Sequence, residues 1–338
     1  MNQWYDVQKI RSQFPALQRE VNGQPIVYLD GPGGTQVPQR VADKVMEYLL
    51  HHNANAHGNF ITSQESDAIH EAARETLADF LNCKASEIMF GDSSSTNNFK
   101  LALALVRDLQ EGDEVIITDL DHESNRSPWR HMEEKGILVK RVAVNPEDCT
   151  MNLEDYREKL SKKTKVVALN WASNGVGTIT DIKPMIEWAK EVGAITIVDA
   201  VHYAPHRPID VKDMGMDFLL CSTYKFFGPH MGVLYGREEL MDQLRTYRVL
   251  VEDNGNPPQK FETGTPQFES ISGSAEAVEF IASIGKDCEA WAAENHGDWM
   301  DGLTGRRRLI VAGMLAIDEY EEPLAKKLRT ALRSLPGV

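Results

Sequence analysis

This 338-residue chain has a lysine, Lys225, whose position after an apolar run would suit a reactive amine. Lys225 lies in STYKFFGP, directly after the apolar run DFLLC. Contact with a hydrophobic core lowers the pKa of a lysine toward that of a nucleophilic amine. A lysine that packs its stem on the core and extends its ammonium to solvent explains the segment equally well. Both interpretations of Lys225 therefore remain open.

Two further polar residues follow predicted strands. Asp199 ends the run ITIVD, and ligand sites in open α/β sheets collect at such strand ends. A helix cap or a turn explains Asp199 as well. His122 in DHESN follows another predicted strand and is either a site residue or a surface histidine.

The histidine spacings do not predict a metal site. Arg126 stands where an HExxH motif beginning at His122 would have its second histidine. His202 and His206 are four residues apart, but Pro205 between them argues against a common helical face. We therefore expect no metal.

Two small-residue segments could approach a ligand. FGDSSST lies between a predicted strand and a helix, where the hydroxyls of Ser94 and Ser95 and free N–H groups could bind phosphate. Helix capping is the simpler explanation for this segment alone. DGPGGT is not a dinucleotide-binding loop, because Gln36 replaces the third glycine of GxGxxG. A tight turn is favoured there over a backbone loop lying against a ligand.

The order of these elements along the chain gives them more weight than each has alone. Pyridoxal phosphate chemistry needs an amine, an aspartate for the pyridine nitrogen, an aromatic face against the ring and donors for the phosphate. Hydroxyls, histidine, asparagine, aspartate and lysine follow one another here, nearly all at predicted strand ends.

Six motifs between Ile26 and Pro266 resemble those of the class V aminotransferase family of fold-type I pyridoxal phosphate enzymes. The resemblance is greatest to the cysteine desulfurase and selenocysteine lyase branch. The six motifs are YLDGPGGT, DHESNRSPW, ASNGVGT, VDAVH, STYKFFGPHMGVLYG and FETGTP.

The resemblance implies a role for each matching residue. Lys225 would form the covalent aldimine with the cofactor, Asp199 would pair with the pyridine nitrogen, and His122 would stack on the ring and shuttle protons. Thr265 would reach the phosphate in the partner subunit, which implies a homodimer with shared sites. The other residues implied to bind the cofactor are Ser94, Ser95, Asn174, His202, Ser222 and Tyr224.

Three departures from the family pattern bear on activity. His202 replaces the usual glutamine, and Tyr224 replaces the usual histidine beside the lysine. An RxGxxC motif, which would supply the loop cysteine of a desulfurase, does not occur. Cys221 and Cys288 are expected to be packing residues.

The resemblance implies cleavage of a C–S or C–Se bond in a small amino-acid substrate, with a sulfur-acceptor protein as a possible partner. A class V aminotransferase or epimerase on the same scaffold is one alternative, since function depends on the site and not on the fold. A non-catalytic relative that binds a partner protein is the other.

Composition excludes several classes of partner. Thirty-six basic and 51 acidic residues give a net charge of −15, which disfavours binding to nucleic acid or to an anionic membrane surface. The four cysteines form no CxxC pair, and no apolar signal segment or membrane span is evident. We expect a reduced, cytoplasmic protein.

Apolar runs alternate with helical patterns, which predicts an α/β fold with a mostly parallel, seven-stranded-type sheet between helices. The predicted strands are Ile26–Asp30, Glu87–Phe90, Glu114–Thr118, Leu138–Val144, Lys165–Asn170, Ile195–Asp199, Asp217–Ser222 and Gly232–Tyr235. The predicted helices are Ser63–Asn82, Leu101–Leu109, Asn152–Leu160, Lys183–Glu191 and Thr304–Ser334.

Three regions are predicted. Residues 1–25 would pack with a small domain, 26–265 would form the large cofactor-binding domain, and 266–338 would be a helical linker and part of the small domain. Glu252–Pro266, rich in Gly, Pro and Asn, is predicted to be a long loop. A Pro-Gly turn normally leads to a further segment, so we expect the C-terminal small domain to be truncated.

Overall fold

The computed structural model describes residues 4–250 and 255–337. It contains short and long helices around one large sheet and two small hairpins. The strands are β1 (Glu20–Val21), β2 (Gln24–Pro25), β3 (Ile88–Gly91), β4 (Glu114–Thr118), β5 (Leu138–Val142), β6 (Val144–Asn145), β7 (Thr150–Met151), β8 (Thr164–Asn170), β9 (Ile195–Asp199), β10 (Phe218–Ser222) and β11 (Gly232–Gly236).

The α-helices lie before, between and after the described strands, and the last four of them follow β11. They are α1 (Val7–Arg11), α2 (Gln39–Glu47), α3 (Ile61–Leu81), α4 (Ser94–Leu105), α5 (Glu123–Arg130), α6 (Leu153–Lys159), α7 (Lys183–Glu191), α8 (Val211–Met214), α9 (Glu238–Gln243), α10 (Phe268–Asn295), α11 (Gly297–Met300) and α12 (Gly305–Arg333).

The large sheet has seven strands in the order β3-β11-β10-β9-β8-β4-β5. Strand β11 runs antiparallel to both of its neighbours, and the remaining pairs are parallel. The predicted α/β fold with a mostly parallel seven-stranded sheet is confirmed. Parallel strands end at the same edge of a sheet, so the carboxyl ends of β4, β8, β9 and β10 lie close to one another.

Both faces of the sheet are covered, which explains the continuous apolar runs in the sequence. Along β4, Val115 and Ile117 belong to one buried cluster and Ile116 to another. Successive side chains of a strand point to opposite faces, so the two clusters lie on opposite sides of the sheet.

Most predicted strands lie within two residues of an observed strand, but the prediction for Ile26–Asp30 was wrong. This segment has no strand partner among the described residues. Val27 is 75% exposed and Leu29 is 87% exposed. The apolar composition of the segment suits a strand, but among the described residues it forms no ladder of hydrogen bonds with a partner strand. The predicted strand Leu138–Val144 is interrupted at Ala143, between β5 and β6.

The prediction Leu101–Leu109 also misplaced a helix. Helix α4 begins seven residues earlier, at Ser94, because Ser93 caps it through a hydrogen bond from the Thr96 N–H to the Ser93 hydroxyl. The first turn is polar and therefore carries no apolar periodicity. The prediction Ser63–Asn82 agrees with α3, which ends where Asn82 adopts a left-handed conformation with φ of 61°.

Helices α10 and α12 pack against each other through their backbones. A Cβ atom at Gly285 would overlap the carbonyl of Leu309, and one at Gly313 would overlap the carbonyl of Ile281. Trp4 stacks on Trp291 of α10 with ring centroids 3.8 Å apart. The division into residues 1–25, 26–265 and 266–338 stays a prediction.

The predicted loop Glu252–Pro266 falls partly outside the described residues. Its described part contains one short 3₁₀ helix, Gln259–Phe261. Over residues 4–250 and 255–337, the helices include none with the length and apolar character needed to cross a membrane.

Candidate active site

A cavity of about 350 Å³ lies where the carboxyl ends of the parallel strands meet the beginning of α4. It brings together eight residues that were predicted to form a site: Ser94, Ser95, His122, Asn174, Asp199, His202, Tyr224 and Lys225. It also contains Pro32 and Gly33 of DGPGGT, so the loop lying at a ligand site, which was not the favoured interpretation, fits the structure better. The lining residues that were not assigned to a site from the sequence are Ser124, Asn170, Ala172 and Val201.

Lys225 is the buried amine of this cavity. It lies in a short 3₁₀ turn after β10 and is 8% exposed. Its Nζ donates to the carbonyl of Pro32 and lies 4.9 Å from the centre of the Tyr224 ring. Burial lowers the pKa of Lys225, while the charges of Asp30 and Asp199 raise it. The surface-lysine alternative is therefore wrong for this structure.

The glycine-containing segment DGPGGT forms the wall opposite the lysine. Both the N–H and the hydroxyl of Thr35 donate to the carbonyl of Tyr224, at 2.9 and 3.2 Å. A Cβ at Gly34 would lie 3.1 Å from the Tyr224 ring. The loop can therefore approach closely enough to bring the Pro32 carbonyl to Lys225.

Asp199 is a buried carboxylate at the end of β9, with 5% exposure. Its Oδ1 accepts a hydrogen bond of 2.9 Å from the Val201 N–H, and the described residues place no cation within ion-pair distance of it. Burial raises the pKa of Asp199, whereas the Val201 hydrogen bond and the charges of His122 and Lys225 lower it. A cationic group in the cavity would stabilise the ionised carboxylate.

Asn170 is the neighbour of Asp199 across the sheet, at the end of β8. Its Nδ2 donates to the carbonyl of Ala172 at 3.1 Å, and its Oδ1 is buried without a hydrogen-bond partner in the described part of the chain. Unsatisfied buried acceptors are rare in proteins. Ligand sites in open α/β sheets collect at the carboxyl ends of strands, and Asn170 and Asp199 both end parallel strands.

His122 is the N-cap residue of α5, and its side chain is exposed. Its Nδ1 accepts from the Ser124 N–H at 3.1 Å and lies 2.7 Å from the Ser124 hydroxyl. A backbone N–H can only donate, so Nδ1 is the acceptor and the neutral ring carries its proton on Nε2.

The beginning of α4 offers donors to an anion. The N–H groups of Ser94 and Ser95 have no acceptor within residues 4–250 and 255–337, as is usual in the first helical turn. The hydroxyl of Ser222 donates to that of Ser94 at 3.0 Å. A Cβ at Gly232 would overlap the backbone of Ser93, so the glycine allows β11 to pass directly beneath this helix end.

His202 and Asn174 complete the cavity from two loops. Burial, together with the charges of His206 and Lys225, lowers the pKa of His202 to about 4, so the ring is neutral at pH 7. Asn174 lies on an exposed turn.

Thr265 does not reach this cavity within one chain. It lines a separate cavity of about 170 Å³, together with Glu262 and Lys100. Its predicted contact with the phosphate in a partner subunit stays a prediction.

The cysteines lie outside the candidate site. None of the four lines the Lys225 cavity, and all are free thiols. Cys221 is buried in β10, and Cys288 is buried in α10, where its Sγ donates to the carbonyl of Trp4 at 2.9 Å. Throughout the described ranges, no cluster of three histidine, cysteine or acidic side chains could hold a metal ion.

Comparison with known proteins supports the same family. The family model described as aminotransferase class V matches residues 27–305. A cysteine desulfurase of Pectobacterium atrosepticum is 32% identical over 84% of this chain and 73% of that protein. A probable cysteine desulfurase of Mycobacterium leprae is 33% identical, and a cysteine desulfurase of Synechococcus elongatus is 34% identical. The chain spans about half the length of these last two, 48% and 49%.

Solved structures agree with the sequence comparison. The apo structure of a cysteine desulfurase from Thermococcus onnurineus is 28% identical, with a TM-score of 0.75 over 87% of this chain and 76% of that one. The Escherichia coli cysteine desulfurase CsdA is 27% identical, with a TM-score of 0.73 over 89% and 79%. The chain therefore belongs to the class V aminotransferase family and resembles its cysteine desulfurase branch.

Proposed function

We propose that this chain binds pyridoxal phosphate at the Lys225 cavity and cleaves a C–S or C–Se bond of an amino acid, as a cysteine desulfurase-like enzyme. The observation that carries the proposal is the presence in one cavity of a buried amine, Lys225, and a buried carboxylate, Asp199, that has no ion-pair partner among the described residues. The relatives, which are cysteine desulfurases by name, support the choice of reaction.

The donors and acceptors of the cavity fit the cofactor. Asp199 would hold the protonated pyridine nitrogen, because a cation there relieves the cost of burying its charge. The free N–H groups of Ser94 and Ser95 would bind the phosphate, with the Ser222 hydroxyl in support. His122, Asn174, His202 and Tyr224 would contact the ring or its substituents. When bound, the cofactor supplies an aldehyde for condensation with amines and a ring that accepts electrons.

The chain's own residues would supply the proton transfers. Lys225 is held beside the Pro32 carbonyl by a hydrogen bond, and its lowered pKa increases the fraction of neutral amine that can act as a nucleophile or a base. His122 can present a proton at Nε2, because Ser124 occupies Nδ1. The neutral His202 can donate or accept a hydrogen bond without adding charge.

The proposal extends to assembly, partner and location. Thr265 lies outside the cavity of its own chain, which supports a homodimer in which it serves the partner's phosphate. A sulfur-acceptor protein would be the partner of a desulfurase. The four free cysteines support a reducing cytoplasm.

Covalent trapping tests cofactor attachment. The purified chain is loaded with pyridoxal phosphate, reduced with borohydride and mapped by peptide mass spectrometry. We expect the pyridoxyl group on Lys225. The internal control is Lys260, which is also buried but donates to the backbone carbonyl of Asp242 at 2.7 Å outside the cavity. Modification of another lysine, or of none, would contradict the proposal.

A second candidate reaction follows from the position of the thiols. Because none of the four cysteines lines the cavity, a class V aminotransferase or epimerase reaction, which needs no thiol nucleophile, is the alternative. Sulfide and selenide release, oxoacid formation and loss of optical activity over a panel of amino acids separate these reactions. Absence of all of them in a cofactor-loaded protein would instead support a non-catalytic relative.

A further inference from the structure

A buried chain of polar side chains lies behind His122 and takes no part in the cavity lining. It begins at the end of β4, where the Thr118 hydroxyl donates to Oδ2 of Asp121. Oδ1 of Asp121 accepts from Nδ2 of Asn125 at 2.8 Å. Oδ1 of Asn125 in turn accepts from Nδ2 of Asn98 at 2.9 Å. Exposure of Asp121, Asn125 and Asn98 is 7%, 0% and 1%.

This chain ends on the residue that contacts the His122 ring. Nδ2 of Asn98 also donates to the carbonyl of Ser124 at 3.1 Å. The N–H and the hydroxyl of Ser124 are the two groups at Nδ1 of His122. The N–H of Asn125 donates to the His122 carbonyl at 2.9 Å, so the network holds the backbone on both sides of Ser124.

An exposed ring depends on such contacts for its orientation. Packing does not hold the His122 side chain, since it is exposed, and a histidine ring turns about its side-chain torsions unless hydrogen bonds restrain it. Members of a buried polar network restrain one another, because each would lose hydrogen bonds that water cannot replace. Oδ1 of Asn98 is buried without a hydrogen-bond partner among the described residues, so the restraint comes from its Nδ2. Rigidity in Asp121, Asn125 and Asn98 is therefore transmitted to Ser124.

We propose that Asp121, Asn125 and Asn98 are positioning residues for His122, which fix the orientation of its ring and the location of its proton on Nε2 by holding Ser124. The proposal deepens the role suggested for His122 and rests on the proposed function for its relevance to catalysis. The orientation and the tautomer of the His122 ring are properties of the chain itself and can be measured without cofactor.

Nuclear magnetic resonance of histidine-labelled protein tests the proposal directly. Long-range proton–nitrogen correlations identify the tautomer of each ring, and carbon relaxation gives its order parameter. His122→Gln assigns the signal. In the wild type, in alkaline buffer and without cofactor, we expect a single Nε2–H tautomer and an order parameter near that of rigid groups, about 0.85.

Two variants break the network, and a third serves as a control. Asn125→Ala removes both side-chain links of Asn125, and Asp121→Ala removes the acceptor of the Asn125 amide. We expect the His122 order parameter to fall to about 0.6 or below in both, with a second tautomer detectable. Ser127→Ala on the same helix, whose hydroxyl donates to Glu123, should leave both readouts unchanged.

The outcomes separate this proposal from the proposed function. A rigid ring of one tautomer in folded Asn125→Ala and Asp121→Ala proteins would overturn it. A mobile or mixed-tautomer ring in the wild type would overturn it too, even if neither variant folds. Failure of the chain to bind pyridoxal phosphate would contradict the proposed function but would not alter these measurements.

Discussion

The Asn170 amide and the Asp199 carboxylate are register partners at the carboxyl ends of two adjacent parallel strands, and both line the cavity of Lys225. Neighbouring strands are about 4.8 Å apart, so the two side chains extend from the same level of the sheet. Within residues 4–250 and 255–337, the Asn170 acceptor has no donor and the buried Asp199 carboxylate has no cation at ion-pair distance. Together they offer an acceptor and a carboxylate to a protonated heterocycle bound in the cavity.

Replacing the carboxylate should separate chemistry from binding. Asp199→Asn keeps the shape of the side chain but cannot carry the charge that holds a protonated ring nitrogen. We expect turnover to fall by at least about 100-fold, while cofactor content stays within about twofold of the wild type. Absorbance titration and steady-state kinetics measure the two quantities. Asp119→Asn, which alters a carboxylate paired with Arg141, is the control, and near-normal turnover of Asp199→Asn would remove the assignment.

Adding a second carboxylate at Asn170 should weaken cofactor binding. In Asn170→Asp, two buried carboxyl groups at the same level of the sheet would compete for one proton, which raises the pKa of the pair and costs about 1.4 kcal/mol for each pKa unit. We expect affinity for pyridoxal phosphate to fall by about tenfold. Asn174→Asp, on the exposed turn of the same cavity, should have a smaller effect. Equal effects of the two substitutions on affinity would contradict a particular role for the position of Asn170 beside Asp199.

The thiols should not support a covalent desulfurase reaction in this polypeptide. A persulfide-forming cysteine needs exposure and a lowered pKa. Burial instead raises the pKa of Cys83, Cys221 and Cys288, the last to about 11. Cys149 is only half-buried, but it does not line the cavity. We therefore expect little sulfide release from cysteine in the presence of a reductant, and the proposed bond cleavage would then act on a C–Se substrate, whose lysis needs no such thiol.

The control for this assay is a variant in which serine replaces all four cysteines. It should retain its cofactor and show the same low rate of sulfide release as the wild type. Robust release by the wild type that this variant loses would mean that one of the four thiols is the nucleophile.

Acid should destabilise the fold through His70. Burial, with the charge of Arg74, lowers the pKa of His70 to about 4, although Glu262 and Asp67 raise it and His57 lowers it further. The unfolded chain, with a pKa near 6.5, takes up the proton first as the pH falls. Stability is therefore complete above about pH 6.5 and falls toward pH 4, by at most about 3 kcal/mol from this residue.

His70→Gln tests this pH dependence by urea denaturation. The variant should have a flatter stability profile between pH 6.5 and 4, because its amide does not titrate there. His131→Gln, an exposed site, should keep the wild-type profile. Parallel profiles for wild type and His70→Gln would contradict the expectation.

Arg307 connects α12 to the end of α3 and to the segment before α8, and it should contribute strongly to stability. Its guanidinium donates to the carbonyls of Asp79, Phe80 and Ile209 at 3.1, 2.8 and 2.7 Å, and the side chain is 8% exposed. A lysine ammonium cannot reach all three from one position, so Arg307→Lys should cost about 2–3 kcal/mol in urea denaturation. Arg329→Lys on the same helix, in an exposed ion pair with Glu322, should cost less than about 1 kcal/mol. Similar losses in the two variants would refute the role of Arg307.

Much of the site was predictable because parallel strands bring their ends to one edge. That single rule joins His122, Asp199 and Lys225, which are far apart in sequence, and the structure places all three around one cavity. Asn170 was missed because the run VVALN was interpreted only as a strand. Thr265 was predicted to reach the phosphate in a partner subunit, which stays a prediction, and in its own chain it lines another cavity.

The errors in secondary structure have equally specific causes. Ile26–Asp30 has the composition of a strand, but strands form only beside a partner, and Val27 and Leu29 are exposed. The start of α4 was placed too late because its first turn, SSTNN, is polar. Its helical state comes from the Ser93 cap, a local hydrogen bond that apolar periodicity does not reveal.

The backbone contact between Gly285 and Gly313 has a mechanical consequence. No layer of side chains separates α10 and α12 at their crossing. Rotation of either helix about its axis would separate the two backbones, so we expect the pair to move as one rigid unit. Beyond the crossing, Asp318 and Glu321 of α12 contact Arg207 and His206, and the ring of His206 lies 5.3 Å from that of His202 at the cavity. The far end of α12 is therefore linked to the rim of the cavity through the ion pair of Arg207 with Asp318 and the hydrogen bond of His206 with Glu321.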